Sequence, residues 1–280
     1  MNSEWKDIAV FLDGTPAGER IGRHAAALSR AHGAHLVGVY GISHPEPVAP
    51  IESFARGGEA VGQVLERLRK ADEEKTIAAG LGFAELVRTY GVSSEFRVVW
   101  RERENDDGAL KNLHSDLIVA ARPIPADLPS TWSGQHLLLV SGAPVLLVPE
   151  GWPGETIGRH VVVAWNGSRE ARRAVNDAMP FLTSADRVTA LIVAEGRFSD
   201  ERSGADLQRH LERHDVKADL RVEAASGVPI AQTIQSVCAE LQADLLVIGA
   251  YSRPRTAEIL FGGVTRTLLA EAELPLLMSR

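Results

Sequence analysis

Residues 248–266 read IGAYSRPRTAEILFGGVTR: an apolar run closing on Gly249, a loop with Tyr251, Ser252, Arg253 and Arg255, and Gly262-Gly263 followed by Val264 and Thr265. Each part has a use in holding an anion. Glycines let a backbone come close to a ligand. N–H groups at the start of a helix, with the positive end of its dipole, favour negative charge. Thr265 offers a hydroxyl, and the arginines a mobile positive charge. A second turn, Asn166-Gly167-Ser168, follows the apolar run HVVVAW, and Ser168 has the type and place of a helix N-cap. Taken singly, these are also ordinary turn residues.

Other reactive residues point to less. His210 and His214 lie four apart on a helical stretch, a spacing that can hold a metal, but Arg209, Glu212 and Arg213 surround them without a third ligand. A solvated helix face is the better reading, and His32 and His35 around Gly33-Ala34 invite the same one. Cys238 is the single cysteine, which excludes an internal disulfide, fits a reducing compartment and reads as a packing residue. There is no Gly-x-x-x-x-Gly-Lys phosphate loop, no His-Glu-x-x-His zinc helix, no Gly-x-Ser-x-Gly elbow and no Gly-x-Gly-x-x-Gly turn. No metal site is expected. A dedicated enzyme is the minority reading.

The elements that must position these residues are written twice. DIAVFLDGTPAGERIGRHAAAL matches HVVVAWNGSREARRAVNDAMPF, placing Asp13 on Asn166, an offset of 153; HSDLIVAARP matches QADLLVIGAY, placing Asp116 on Asp244, an offset of 128. Both copies close on an apolar run after a proline, GAPVLLVPE and ELPLLMSR. The offsets differ by 25, so the first copy carries about that many extra residues, which fall in and after HPEPVAPIESFARGGEAV. Two copies of one domain explain this, residues 1–150 and 158–280, with the boundary in the Pro/Gly-rich PEGWPGETIG.

Within each copy the period alternates between strand and helix. HVVVAWN, VTALIVAE, ADLRVEAA, DLLVIGA and PLLMS read as strands. EARRAVNDAMPFL, SGADLQRHLERHD, PIAQTIQSVCAEL and VTRTLLAEA read as helices, with Ile230, Ile234, Val237 and Leu241 forming a stripe. In the first copy, Gly80 and Gly82 are expected to break a long helical stretch in two. Such alternation predicts an α/β fold with a parallel five-stranded sheet in each copy, covered on both faces. Ligands in such sheets bind beyond the carboxyl ends of the strands. Those ends carry Asn166-Gly167-Ser168, Val193 and Ile248-Gly249.

Composition sets the outer limits. The chain has 280 residues, 45% hydrophobic and 24% charged, enough for two globular domains. A formal net charge of −7 argues against a nucleic-acid binder. No apolar run approaches the roughly 20 residues needed to cross a membrane, and the start of the chain has no signal-peptide core, so a cytoplasmic location is expected.

The duplicated βαβ order, the Asp or Asn ending strand one and the closing block resemble a tandem universal stress protein over nearly the whole chain. The resemblance implies two adenine-nucleotide alpha-hydrolase-like, Rossmann-like sandwiches packed as an internal pseudo-dimer, with closing strands 144–148 and 275–278 meeting. ATP-binding members of that family carry Gly, two residues, Gly, nine residues, then Gly-Ser or Gly-Thr. Here the pattern falls on Gly249, Ser252 and Gly262-Gly263, so two of four positions match. Asn166 stands at the adenosine-contacting Asp and keeps an amide oxygen able to accept from an adenine amino group. The resemblance implies a site of Asn166, Gly167, Ser168, Val193, Ile248, Gly249, Tyr251, Ser252, Arg253, Gly262, Gly263, Val264 and Thr265, with ATP in the second half alone. The first half keeps Asp13, but Ala120-Ala121-Arg122-Pro123 and a proline-rich loop replace the cradle. The expected role is a stress-response protein that binds an adenine nucleotide and is able to form homo-oligomers. The rivals are an interaction module with a decayed site and a weak ATPase.

Overall fold

The inner apolar runs of both halves become strands without polar alternation, as sheets covered on both faces require, while SEFRVVWR and ADLRVEA alternate with polar residues. The computed structural model describes residues 4–12, 16–43, 58–101, 110, 113–122, 132–154, 156–194, 201–225, 227–250 and 263–280. The first copy supplies β1 (Asp7–Leu12), β2 (His35–Ser43), β3 (Ser94–Arg101), β4 (Leu117–Arg122) and β5 (Val145–Pro149). The second supplies β6 (His160–Ala164), β7 (Arg187–Ala194), β8 (Ala218–Ala224), β9 (Leu245–Gly249) and β10 (Leu276–Ser279). The described helices are α1 (Pro16–His32), α2 (Gly58–Tyr90), α3 (Gly134–Val140), α4 (Arg169–Asp177), α5 (Met179–Ser184), α6 (Glu201–Glu212), α7 (Ile230–Glu240) and α8 (Gly263–Glu271).

The two five-stranded sheets join edge to edge into one, as the expected meeting of the closing strands requires. Its order is β3-β2-β1-β4-β5-β10-β9-β6-β7-β8, so each half has the same internal order and the closing strands meet in the middle. β5 and β10 run antiparallel, with Val145 opposite Met278, Leu146 opposite Leu277 and Leu147 opposite Leu276. Aligning Pro144 with Pro275 makes Leu146 and Leu277 repeat equivalents, so each faces its own counterpart. That is the self-complementary pairing of a two-fold interface, here within one chain. Apolar residues α1, α2, α4, α5 and α6 contribute to the core on one face of the sheet; α3, α7 and α8 contribute to the other. Cys238 lies in the second core, 2% exposed, with its thiol pushed up to about 12 by burial.

Because β10 completes its hydrogen bonding on β5, a fragment of residues 158–280 exposes an apolar edge. It is expected to dimerise at tens of micromolar by light scattering. A well-folded monomer would count against the shared edge as a stabilising contact.

The repeated aspartates are structural. An Asp116 side-chain oxygen accepts from the N–H groups of Lys6 and Asp7 at 2.7 and 3.0 Å. Asp244 accepts from those of Arg159 and His160 at 3.0 and 2.8 Å. Each ties the amino end of its half's first strand to that of the fourth, opposite the strand ends where ligands bind.

Two helical expectations are corrected. α2 runs unbroken through Gly80 and Gly82, because a glycine costs a helix only about 1 kcal/mol and Phe83, Leu86 and Val87 anchor it to the core. The predicted helix EARRAVNDAMPFL is two, with Ala178 ending α4, because Pro180 has no N–H to continue the ladder. Among the described residues, no helix is long and apolar enough to cross a membrane.

Candidate functional site

β6 feeds α4 on one face of the sheet, while its neighbour β9 leads toward α8 on the other. The crevice between their carboxyl ends is therefore the topological switch point of the second half. Register brings Ala164 beside Leu191 and Ile248, so the residues just beyond, Asn166, Val193 and Gly249, end three adjacent strands. Val193 is half-buried and Ile248 buried.

The Asn166 turn is largely self-contained. Asn166 Oδ1 accepts from the Ser168 N–H at 3.1 Å, and Ser168 Oγ accepts from the Ala171 N–H at 3.1 Å as the N-cap of α4. Gly167 has φ +69°, the left-handed region where glycine is favoured. One of the lone pairs assigned to a base amino group thus serves the turn.

Gly249 has a different purpose from the one its motif suggests. A Cβ there would lie 2.3 Å from the Ala171 nitrogen and 2.4 Å from the Glu170 carbonyl carbon. The backbone that needs this glycine is α4, packed directly on β9. Thr265 is corrected as well: it is 5% exposed and shares the buried face of α8 with Leu268, three residues on. Its hydroxyl is withdrawn from the ligand role. Tyr251, Ser252, Arg253, Arg255 and Gly262 lie outside the described residues, as does Asp13.

What remains at the crevice is the amino end of α8. Gly263 is exposed, Val264 half-buried, and a Cβ on Gly263 would meet no atom within 4 Å. Gly134, at the start of α3, falls on Thr265 when Pro144 is aligned with Pro275, and like Thr265 it is buried: a Cβ there would strike Leu147 at 2.5 Å. The helix dipoles differ too. α4 carries Glu170 in its first turn, buried and ion-paired with Arg169, whereas α8 has no acidic residue there. Burial raises the Glu170 pKa, but Arg169, its own backbone N–H and the Ser168 hydroxyl outweigh that and hold it below the usual range. One positive helix end is matched by the chain's own carboxylate, and the other is open to an anion.

Sequence reasoning missed a cavity of about 560 Å³ between α4 and α6, lined by Trp165, Arg172, Arg202, Ser203 and His210 among others. The signal was present in the spacing: Arg202, Asp206 and His210 recur every four residues on one helix face. Trp165 is buried and donates its indole N–H to Ser203 Oγ at 2.9 Å. His210 is half-buried, its ring 4.8 Å from that of His214, so the fully solvated face expected for the pair is corrected. Among the described residues, no group of three His, Cys, Asp or Glu could hold a metal.

Burial lowers the pKa of His24, reinforced by Arg23 and Arg20, and that of His210, reinforced by His214 and Arg213. Burial lowers His32 also, against an opposing pull from Glu4. The unfolded chain therefore binds more protons at these sites, so their contribution is present above the unfolded pKa of about 6.5 and is lost as pH falls through the folded values. The denaturant midpoint is expected to drop between about pH 7 and pH 5, and His24→Gln should flatten the slope. A midpoint that does not move over that window contradicts the prediction.

Residues 158–280 match the model of the universal stress protein family, Usp. Among solved structures, a universal stress protein from Archaeoglobus fulgidus DSM 4304 is similar over 98% of this chain and 98% of its own, at 13% identity and TM-score 0.65. A functionally unknown protein from Pseudomonas aeruginosa PAO1 is similar over 98% of this chain and 92% of its own, at 15% identity and TM-score 0.62. These likenesses establish the fold over both halves. No curated protein sequence matches the chain.

Proposed function

We propose that the second half binds an adenine nucleotide at the switch point between β6 and β9, and that the protein serves a stress response through that binding without efficient turnover. The observation that carries this reading is the amino end of α8 at Gly263, which has no acidic residue in its first turn and where a Cβ would meet no atom within 4 Å. Phosphates would meet the first N–H groups of α8, and the base would lie toward Asn166 and Val193. The family match over residues 158–280 supports a stress-response role. Tyr251, Ser252, Arg253 and Gly262 complete the proposed site from sequence. Residues 1–150 and 158–280 are taken as its two domains, and the cytoplasm as its location.

A second reading, an interaction module with a decayed ligand site, is favoured by the turn bond of Asn166, the packing role of Gly249 and the burial of Thr265. The outer edges β3 and β8 carry Glu95, Arg97, Asp219, Arg221 and Glu223, charges that discourage edge-to-edge assembly.

The two readings separate experimentally. Native protein should carry over an adenine nucleotide, read by mass spectrometry after denaturation. Calorimetric titration should give saturable ATP binding, and phosphate release from the saturated protein should stay near background. No retained nucleotide together with no heat would establish the decayed site. Steady phosphate release would establish a weak ATPase.

A further inference from the structure

The cavity of about 560 Å³ between α4 and α6 has a twin of about 520 Å³ between α1 and α2. Their walls correspond position by position. Leu12, Glu19, Gly22 and Arg23 stand 153 places before Trp165, Arg172, Val175 and Asn176. On the facing helix Ala78, Ala79, Gly82 and Leu86 stand 124 places before Arg202, Ser203, Asp206 and His210. That shift is fixed by matching helix ends, where Val92 N–H donates to Val87 and Val216 N–H to Leu211.

The two linings differ in kind. The first half builds the same wall with two alanines, a glycine and a leucine, so packing alone does not require Arg202, Ser203, Asp206 and His210. Among the described residues, neither Arg172 nor Arg202 makes an ion pair; Asp206 is held by Arg209. Arg172 and Arg202 approach the cavity from opposite helices, His210 lies one turn beyond Asp206, and Trp165, Val175 and Leu207 supply apolar wall.

We propose that this cavity, which borders the proposed nucleotide site at Asn166 and Gly167, binds a phosphate monoester with a small organic body beside the nucleotide, through Arg172 and Arg202. Two guanidinium groups match a dianionic phosphoryl group in charge and fork geometry. The volume exceeds what a phosphate alone fills, and the aromatic and aliphatic wall takes the remainder. Burial holds the His210 pKa below the usual imidazole range, and an anion entering beside it draws the pKa back up.

The twin supplies the test variants, because its residues are compatible with the same wall: Arg202→Ala and His210→Leu. Ribose 5-phosphate is the probe, followed by ³¹P NMR and calorimetry, with ribose and inorganic phosphate as controls. Saturable binding of ribose 5-phosphate, weaker binding of phosphate and none of ribose are expected. Arg202→Ala should weaken the probe about tenfold or more with unchanged melting and unchanged ATP affinity. His210→Leu should abolish the proton uptake seen when calorimetry is repeated in buffers of different ionisation heat. The proposal is overturned if the probe does not bind, if Arg202→Ala leaves it unaffected, or if ribose binds equally. A parallel loss of ATP and probe overturns a second site beside the nucleotide. If Arg202→Ala fails to fold, Arg172→Gln on the opposite helix carries the same expectation. Loss of ATP binding alone in the wild type leaves this site standing.

Discussion

Gly249→Ala is expected to destabilise the protein by about 3 kcal/mol, the upper range for forcing a methyl group into a packed interior. The new Cβ would fall 2.3 Å from the Ala171 nitrogen and 2.4 Å from the Glu170 carbonyl carbon, both backbone atoms of α4. A flexible side chain could rotate away, but a helix backbone has to move as a unit. Moving it would pull Ala171, Ala174 and Val175 from the core under the sheet. At roughly 2–4 °C per kcal/mol for a large domain, the melting midpoint should fall by about 10 °C. The control is Gly263→Ala, where a Cβ meets open space and melting should be nearly unchanged. Should Gly249→Ala melt like wild type yet lose ATP, the glycine serves the ligand and the packing account fails.

Gly263→Ser carries the largest expected functional effect. It restores a hydroxyl at the amino end of α8, where the backbone has room for one. A hydrogen bond to a charged group contributes about 1.5–3 kcal/mol, so ATP should bind roughly ten- to a hundredfold more tightly by calorimetry. Adenosine should gain much less, having no phosphate for the hydroxyl to reach. Stability should change by no more than about 0.5 kcal/mol, as for an exposed substitution. Unchanged ATP affinity in a variant that melts normally would remove phosphates from the amino end of α8. Equal gains for ATP and adenosine would place the base there instead.

These variants divide one motif. Gly249 keeps a glycine of the signature and Gly263 stands where the signature has a hydroxyl residue, yet the first is closed by a helix backbone and the second meets no atom within 4 Å. The motif match alone gives no sign of this, because a glycine has no side chain to show what its backbone packs against. Thr265 shows the same limit. Its hydroxyl suits a phosphate, but helical periodicity turns it to the face that carries Leu268.

The sequence by itself determined the alternation of strands and helices, the N-cap at Ser168 and the meeting of the closing strands. All of these follow from short-range patterns or from an apolar edge that must be covered. Only the tertiary structure decided that Asp116 and Asp244 tie strand ends together, and that Arg172 and Arg202 share a cavity. Such facts depend on which residues face each other across packed elements, tens of positions apart in the chain. No local periodicity encodes that distance; helix packing and strand register do.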